Sequence, residues 1–181
     1  MPLGRSKKLD GEQLREYALK LLTGRALSVA ELKGKLRQRA EDPACIDAIV
    51  AQLKDYGALN DSRYAEHFAE TRAGSGAFGR QRVLSELLKR KVASKVAENA
   101  VNSAFEGASE TEMIQRWLER KYRNQDLGAL LQEPAKLASV YRRLRLAGFA
   151  SGPAIRVLKR HAANASDLEG MEDAGPPEST L

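Results

Sequence analysis

Cysteine, histidine and β-branched residues are scarce in this 181-residue chain, and each shortage removes a class of protein. The single cysteine, Cys45, leaves no internal disulfide and argues against a structural zinc site. His67 and His161 are the only histidines and lack any HExxH or Cys/His ligand spacing. No apolar run is long enough to cross a membrane. The longest stretch without a charged residue, Leu146 to Ile155, includes Gly148, Gly152 and Pro153. Met1 to Asp10 lacks the apolar core of a secretory signal, so a cytoplasmic protein is expected. Val and Ile total 12, against 24 Leu and 27 Ala. Small and straight-chain residues keep their rotamer freedom in helices, whereas strands favour the β-branched ones. The chain reads as all-α.

Periodicity places the helices. Leu14, Tyr17, Ala18, Leu21 and Leu22 form an apolar stripe over 12–23, closed by Gly24. Ser28 with Glu31 is a capping box opening a helix with Val29, Leu32 and Leu36 inside. Asp42 as N-cap and Pro43 at the first turn predict a third helix carrying Ile46, Ile49, Val50 and Leu53, up to Gly57. A second round follows. Asp61 is expected to cap a helix with Tyr64, Ala65 and Phe68; 79–91 buries Val83, Leu84, Leu87 and Leu88; 94–105 buries Val96, Ala97, Ala100, Val101 and Ala104. A third starts at Ser109 and continues through 134–147 and 151–162.

The rounds align on Leu36, Leu87 and Leu144. Thirteen residues later stand Ile49, Ala100 and Val157, and seven later stand the helix starters Pro43, Ser94 and Ser151. The expected fold is a tandem array of three three-helix modules, elongated and curved. An N-terminal arm (1–11) precedes modules at 12–60, 61–108 and 109–162, and a tail (163–181) follows. The tail holds five acids and no base, and reads as disordered.

No catalytic cluster emerges. The glycine-rich stretch Gly74 to Gly79 has neither the Lys-Ser/Thr nor the preceding strand of a phosphate-cradling P-loop. Cys45 reads as a small filler in the first turn of a helix. No enzyme, metal or cofactor is expected. The basic residues are the better lead. Lys and Arg number 30 against 24 Asp and Glu. On the helix at 79–91, Arg82 and Lys89 point outward, and Arg80 stands near Arg72 across the glycine loop. Arg142, Arg143 and Arg145 cluster on one later helix, and Arg156, Lys159 and Arg160 on the next. These ten are the candidate partner or DNA contacts, since guanidinium and ammonium groups bind phosphates and carboxylates. Few aromatics are available for base stacking.

The run from Leu53 through Tyr56-Gly57-Ala58-Leu59-Asn60-Asp61-Ser62-Arg63-Tyr64-Ala65 resembles the signature of the RecX family of bacterial regulatory proteins. Phe78-Gly79-Arg80-Gln81-Arg82-Val83 and Glu86-Leu87-Leu88-Lys89-Arg90-Lys91-Val92 continue the pattern. Two positions depart from it: Asn60 replaces a usual acid, and Arg90-Lys91-Val92 replaces a usual Lys-Gly-Ile/Val turn. The resemblance implies a module array that binds the RecA recombinase in the groove of its filament on single-stranded DNA. It further implies restraint of filament growth, ATP hydrolysis and strand exchange, hence a modulator of recombination and the SOS response, with weak direct DNA binding. A monomer that touches no membrane is expected. The alternative is a general helical nucleic-acid-binding module that needs no recombinase.

Overall fold

The computed structural model describes residues 8–162 together with Ala165 and Leu168. Ten helices occupy these residues and no strand does: α1 Gly11–Gly24, α2 Val29–Arg39, α3 Cys45–Asp55, α4 Asp61–Ser75, α5 Arg80–Lys89, α6 Ser94–Ala104, α7 Glu110–Lys121, α8 Leu127–Leu131, α9 Pro134–Leu146 and α10 Ser151–Lys159. The chain folds into two compact units, Met1–Phe68 with Glu86–Ala100 and Ala69–Ser85 with Val101–Leu181. The helices α4, α5 and α6 therefore each contribute residues to both. This division cuts across the boundaries near 60 and 108 that the repeat suggests.

In the first unit, α1, α2 and α3 enclose Leu14, Ala18, Leu32, Leu36, Ile46, Val50 and Leu53. The predicted stripes thus supply the core, with Tyr17, Leu21 and Leu22 half-buried at its edge. Leu9, just before α1, is tied to the end of α2. The Leu9 amide donates to the Arg39 carbonyl (2.8 Å), and the Leu9 carbonyl accepts from the Glu41 amide (2.9 Å). Asp10 then caps α1 through the Gln13 amide (2.9 Å). Ahead of α3, Asp42 Oδ1 accepts from the Ala44 amide (2.9 Å), the bond a capping side chain makes two residues on, and Ala44 already has helical φ and ψ (−65°, −27°).

The capping box at Ser28 and Glu31 is present with both of its bonds, Glu31 N–H to Ser28 Oγ (3.1 Å) and Ser28 N–H to Glu31 Oε2 (3.0 Å). The cap of α4 differs from expectation. Asn60 holds that position, its Oδ1 accepting from the amides of Ser62 (2.9 Å) and Arg63 (3.1 Å). Asn and Asp are near-equal N-caps, so the departure at Asn60 leaves the cap intact. Asp61 instead reaches α2 and accepts from the Val29 amide (2.8 Å). One of the unpaired amides at the start of α2 is thereby satisfied by a residue of the next module.

The second departure, at Arg90-Lys91-Val92, has a measurable consequence. The end of α5 closes with the Val92 amide on the Leu87 carbonyl (3.2 Å) and the Lys91 amide on the Leu88 carbonyl (2.8 Å). This Schellman pattern needs a left-handed residue, and Lys91 (φ 58°) is the only non-glycine with positive φ among the described residues. The same pair of bonds ends α9, from Phe149 to Leu144 and from Gly148 to Arg145, with Gly148 (φ 90°) in the left-handed place. Leu87 and Leu144 are the aligned anchors, so two of the three rounds stop their middle helix by the same device. Replacing Lys91 with glycine is expected to stabilise the protein by roughly 0.5–1 kcal/mol, because it removes the Cβ strain of that conformation at some entropic cost. An unchanged or lowered midpoint in urea unfolding contradicts this.

The second unit is built on Ile114, Leu118, Leu131, Leu137, Leu144, Phe149, Ile155 and Leu158, all buried. The short helix α8, capped by Asp126 through the Ala129 amide (3.1 Å), was not foreseen, because five residues are too few to show a helical period. Leu88, expected inside, is 41% exposed at the margin of the α5 stripe. Ala165 and Leu168 are buried, and the Ala165 amide bonds the Ala162 carbonyl (3.2 Å). An apolar pair three residues apart can pack even in a segment of acidic composition. The other positions of the acidic tail lie outside the described residues.

Candidate functional site: a basic cleft

The second unit brings two helix ends together. At the end of α9, the carbonyls of Leu146, Ala147 and Gly148 face the start of α5 and accept from Arg82 Nη1 (3.1 Å), the Gly79 amide (2.7 Å) and the Gln81 amide (3.1 Å). Unpaired carbonyls at one helix end thus meet unpaired amides at another. The approach is so close that a Cβ on Gly79 would lie 2.3 Å from the Gly148 oxygen, and one on Gly148 would lie 2.4 Å from the Arg82 backbone. The glycine-rich stretch before α5 therefore serves packing. Arg120 clamps it from α7, donating to the carbonyls of Ser75 (2.9 Å) and Gly76 (2.8 Å).

Phe78, in the same stretch, lies between two guanidinium groups. Arg72 is 4.6 Å and Arg82 5.0 Å from its ring centroid. Both are within cation–π range, which fixes where these long side chains point. Beside them opens a cleft of about 420 Å³, lined by Ala77, Arg82, Trp117, Lys121, Arg143, Leu146 and Ala147. Arg143 donates to the Tyr122 hydroxyl (3.3 Å), and Trp117 meets Tyr122 and Phe149 edge-on at 6.4 and 6.5 Å. Three cations, one tryptophan and aliphatic side chains thus share the cleft.

The remaining candidates fall into three groups. Arg80 is occupied within the fold, donating to Asn102 Oδ1 (2.9 Å) and to the Phe105 carbonyl (3.0 Å). Arg145 is half-buried and donates to the Phe149 carbonyl (2.7 Å), bracing the α9–α10 turn. Lys89, Arg142, Arg156, Lys159 and Arg160 are exposed. Arg72 and Arg82 are thus joined around Phe78, and Arg82 and Arg143 share the cleft. Two of its residues, Trp117 and Lys121, escaped sequence reasoning. Lys121 sits four residues after Trp117 on α7, a spacing that puts both on one helix face and was the available signal.

In the first unit a second polar cluster has a structural character. Arg90 Nη1 bonds Glu31 Oε1 (2.7 Å), its guanidinium lies 5.0 Å from the Phe68 ring centroid, and its carbonyl accepts from Ser28 Oγ (2.8 Å). Burial pushes the nearby Tyr64 phenol above its ordinary range, with the Glu31 carboxylate adding to the shift and Arg90 opposing it. No three His, Cys, Asp or Glu residues lie close enough to hold a metal among the described residues.

Fold and cleft together define a helical protein made of short capped helices, with cations and one tryptophan gathered at an open cleft. Comparison with known proteins gives the family. Residues 15–53 match the first three-helix domain of RecX, and residues 60–101 match its second. The chain is 32% identical to the regulatory protein RecX of Mycobacterium sp. (strain KMS) over 133 residues, 74% of this chain and 70% of that protein. It is 36% identical over 109 residues to the one of Pseudomonas syringae pv. tomato, 60% of this chain and 68% of that protein. It is 29% identical over 113 residues to that of Caldanaerobacter subterraneus, 62% of this chain and 57% of that protein's length. The crystal structure of RecX from Lactobacillus salivarius superposes with a TM-score of 0.62 at 18% identity, covering 83% of this chain and 95% of that one. The chain belongs to the RecX family.

Proposed function

We propose that this chain is a non-enzymatic regulator, mainly an inhibitor, of the RecA recombinase in the cytoplasm. It binds the RecA–single-stranded-DNA filament and restrains its growth, ATP hydrolysis and strand exchange, and so modulates homologous recombination and the SOS response. The observation that carries this reading is membership of a family whose curated relatives are regulatory proteins. The charge distribution supports it. Residues 1–162 hold 30 bases and 19 acids, a balance of +11 against −5 for residues 163–181. A positive field of that size speeds encounter with a nucleoprotein filament.

The test is RecA ATPase activity on single-stranded DNA during titration with this protein. Inhibition well below the amount needed to coat the DNA is expected. Inhibition only when DNA is coated favours the general nucleic-acid-binding alternative. Arg142→Glu with Arg143→Glu is expected to raise the half-inhibiting concentration about tenfold at low salt and to reduce its salt dependence. Arg145 is left out of that pair because its guanidinium braces the Phe149 carbonyl. Equal inhibition by the double variant across a salt titration removes the α9 bases from the contact surface.

A further inference from the structure

The cleft of the second unit carries a more specific ligand chemistry than a basic surface does. Arg82, Lys121 and Arg143 line it together with Trp117, Leu146 and Ala147. We infer that this cleft is a nucleotide-binding site, taking the phosphate of a nucleoside phosphate on its cations and the base against Trp117.

Three observations support this. First, the cleft gathers three cations with a tryptophan, and a nucleoside phosphate likewise joins an anion to a flat ring. An acidic peptide would match the cations alone and leave the indole without a counterpart. Second, the groups are preorganised. Arg82 is steered by the Leu146 carbonyl (3.1 Å) and the Phe78 ring (5.0 Å), Arg143 by the Tyr122 hydroxyl (3.3 Å), and Trp117 by its edge contacts with Tyr122 and Phe149. Side chains already held in place lose little freedom when a ligand arrives. Third, a volume of about 420 Å³ suits a ligand of small-molecule size. Stacking on one aromatic face tolerates any base, so no sequence preference is implied. The ligand is either a free nucleotide or one nucleotide of a single strand, and neither requires a recombinase.

Trp117 is the only tryptophan in the chain, so its emission reports on this cleft alone. The full-length protein is titrated separately with thymidine monophosphate, a short oligothymidylate, inorganic phosphate and polyglutamate, without RecA. Saturable quenching by the monophosphate identifies a free-nucleotide site, and quenching by the oligonucleotide alone identifies a strand site. Either result supports the inference. Lys121→Glu with Arg143→Glu is expected to weaken that binding at least about tenfold with an unchanged helical circular dichroism spectrum. The milder Lys121→Gln with Arg143→Gln, expected to weaken it several-fold, keeps the test valid if charge reversal disturbs folding. The inference fails if neither nucleotide quenches Trp117, or if inorganic phosphate or polyglutamate binds as tightly as the nucleotide. It also fails if both double variants bind like the parent. RecA is absent from the mixture, so failure here is separate from failure of the recombinase reading.

Discussion

Gly148→Ala is expected to cost about 3 kcal/mol, a drop in melting temperature of roughly 6–12 °C for a chain of this size. Two effects add. Gly148 ends α9 at φ 90°, where a Cβ is strained whatever surrounds it. That Cβ would also lie 2.4 Å from the Arg82 backbone nitrogen and Cβ and 2.9 Å from its Cα, so the backbone itself has to move. The movement would pull apart the carbonyl-to-amide match between the end of α9 and the start of α5. Those carbonyls and amides have no other helical partner, so their separation costs hydrogen bonds as well as packing. Thermal and urea unfolding followed by circular dichroism measure the loss. A change under about 1 kcal/mol would show that the two helix ends are not tightly joined. The Arg82 and Arg143 side chains flank this contact, so the variant should also disturb the cleft.

Ser28→Ala should destabilise the first unit by about 2–3 kcal/mol, more than an ordinary lost cap. Ser28 is the only buried polar residue among those described, and its hydroxyl makes two bonds that matter. It accepts from the Glu31 amide at the start of α2 and donates to the Arg90 carbonyl at the end of α5. Alanine leaves an amide and a carbonyl without this partner in a place that excludes water. Urea unfolding of the variant beside a Thr23→Ala control gives the comparison, since Thr23 bonds only the Leu19 carbonyl on an exposed helix face. Equal losses for the two would mean that the Ser28–Arg90 bond contributes nothing to stability.

Much of the helical plan was legible because its rules act over a few residues. The stripes Leu32/Leu36 and Leu137/Leu144 face the core as read, and the caps at Ser28 and Ser109 are where the sequence puts them. A misreading came where one residue type has two local uses. Asp61 leaves the cap of its own helix to Asn60 and accepts from an amide at the start of α2. Its carboxylate could satisfy either set of amides, and only packed neighbours select between them.

The candidate site divides in the same way. Helical projection correctly turned Arg82 and Lys89 outward, because direction around a helix follows from residue spacing. Projection carries no information about what stands opposite. It could not tell that Arg80 is held by Asn102 and Phe105, that Arg145 braces a turn, or that Arg143 joins Arg82 at Trp117. By itself the sequence determined the helical class, the recurring anchors at Leu36, Leu87 and Leu144, and a basic body followed by an acidic tail. Those follow from composition, from helical periods of three and four residues, and from the recurrence of one pattern along the chain. The tertiary structure alone decided which cations meet, since the groups at the cleft come from three helices far apart in the chain. Their meeting depends on the glycine contact between Gly79 and Gly148, where backbone approaches too closely for any side chain to intervene.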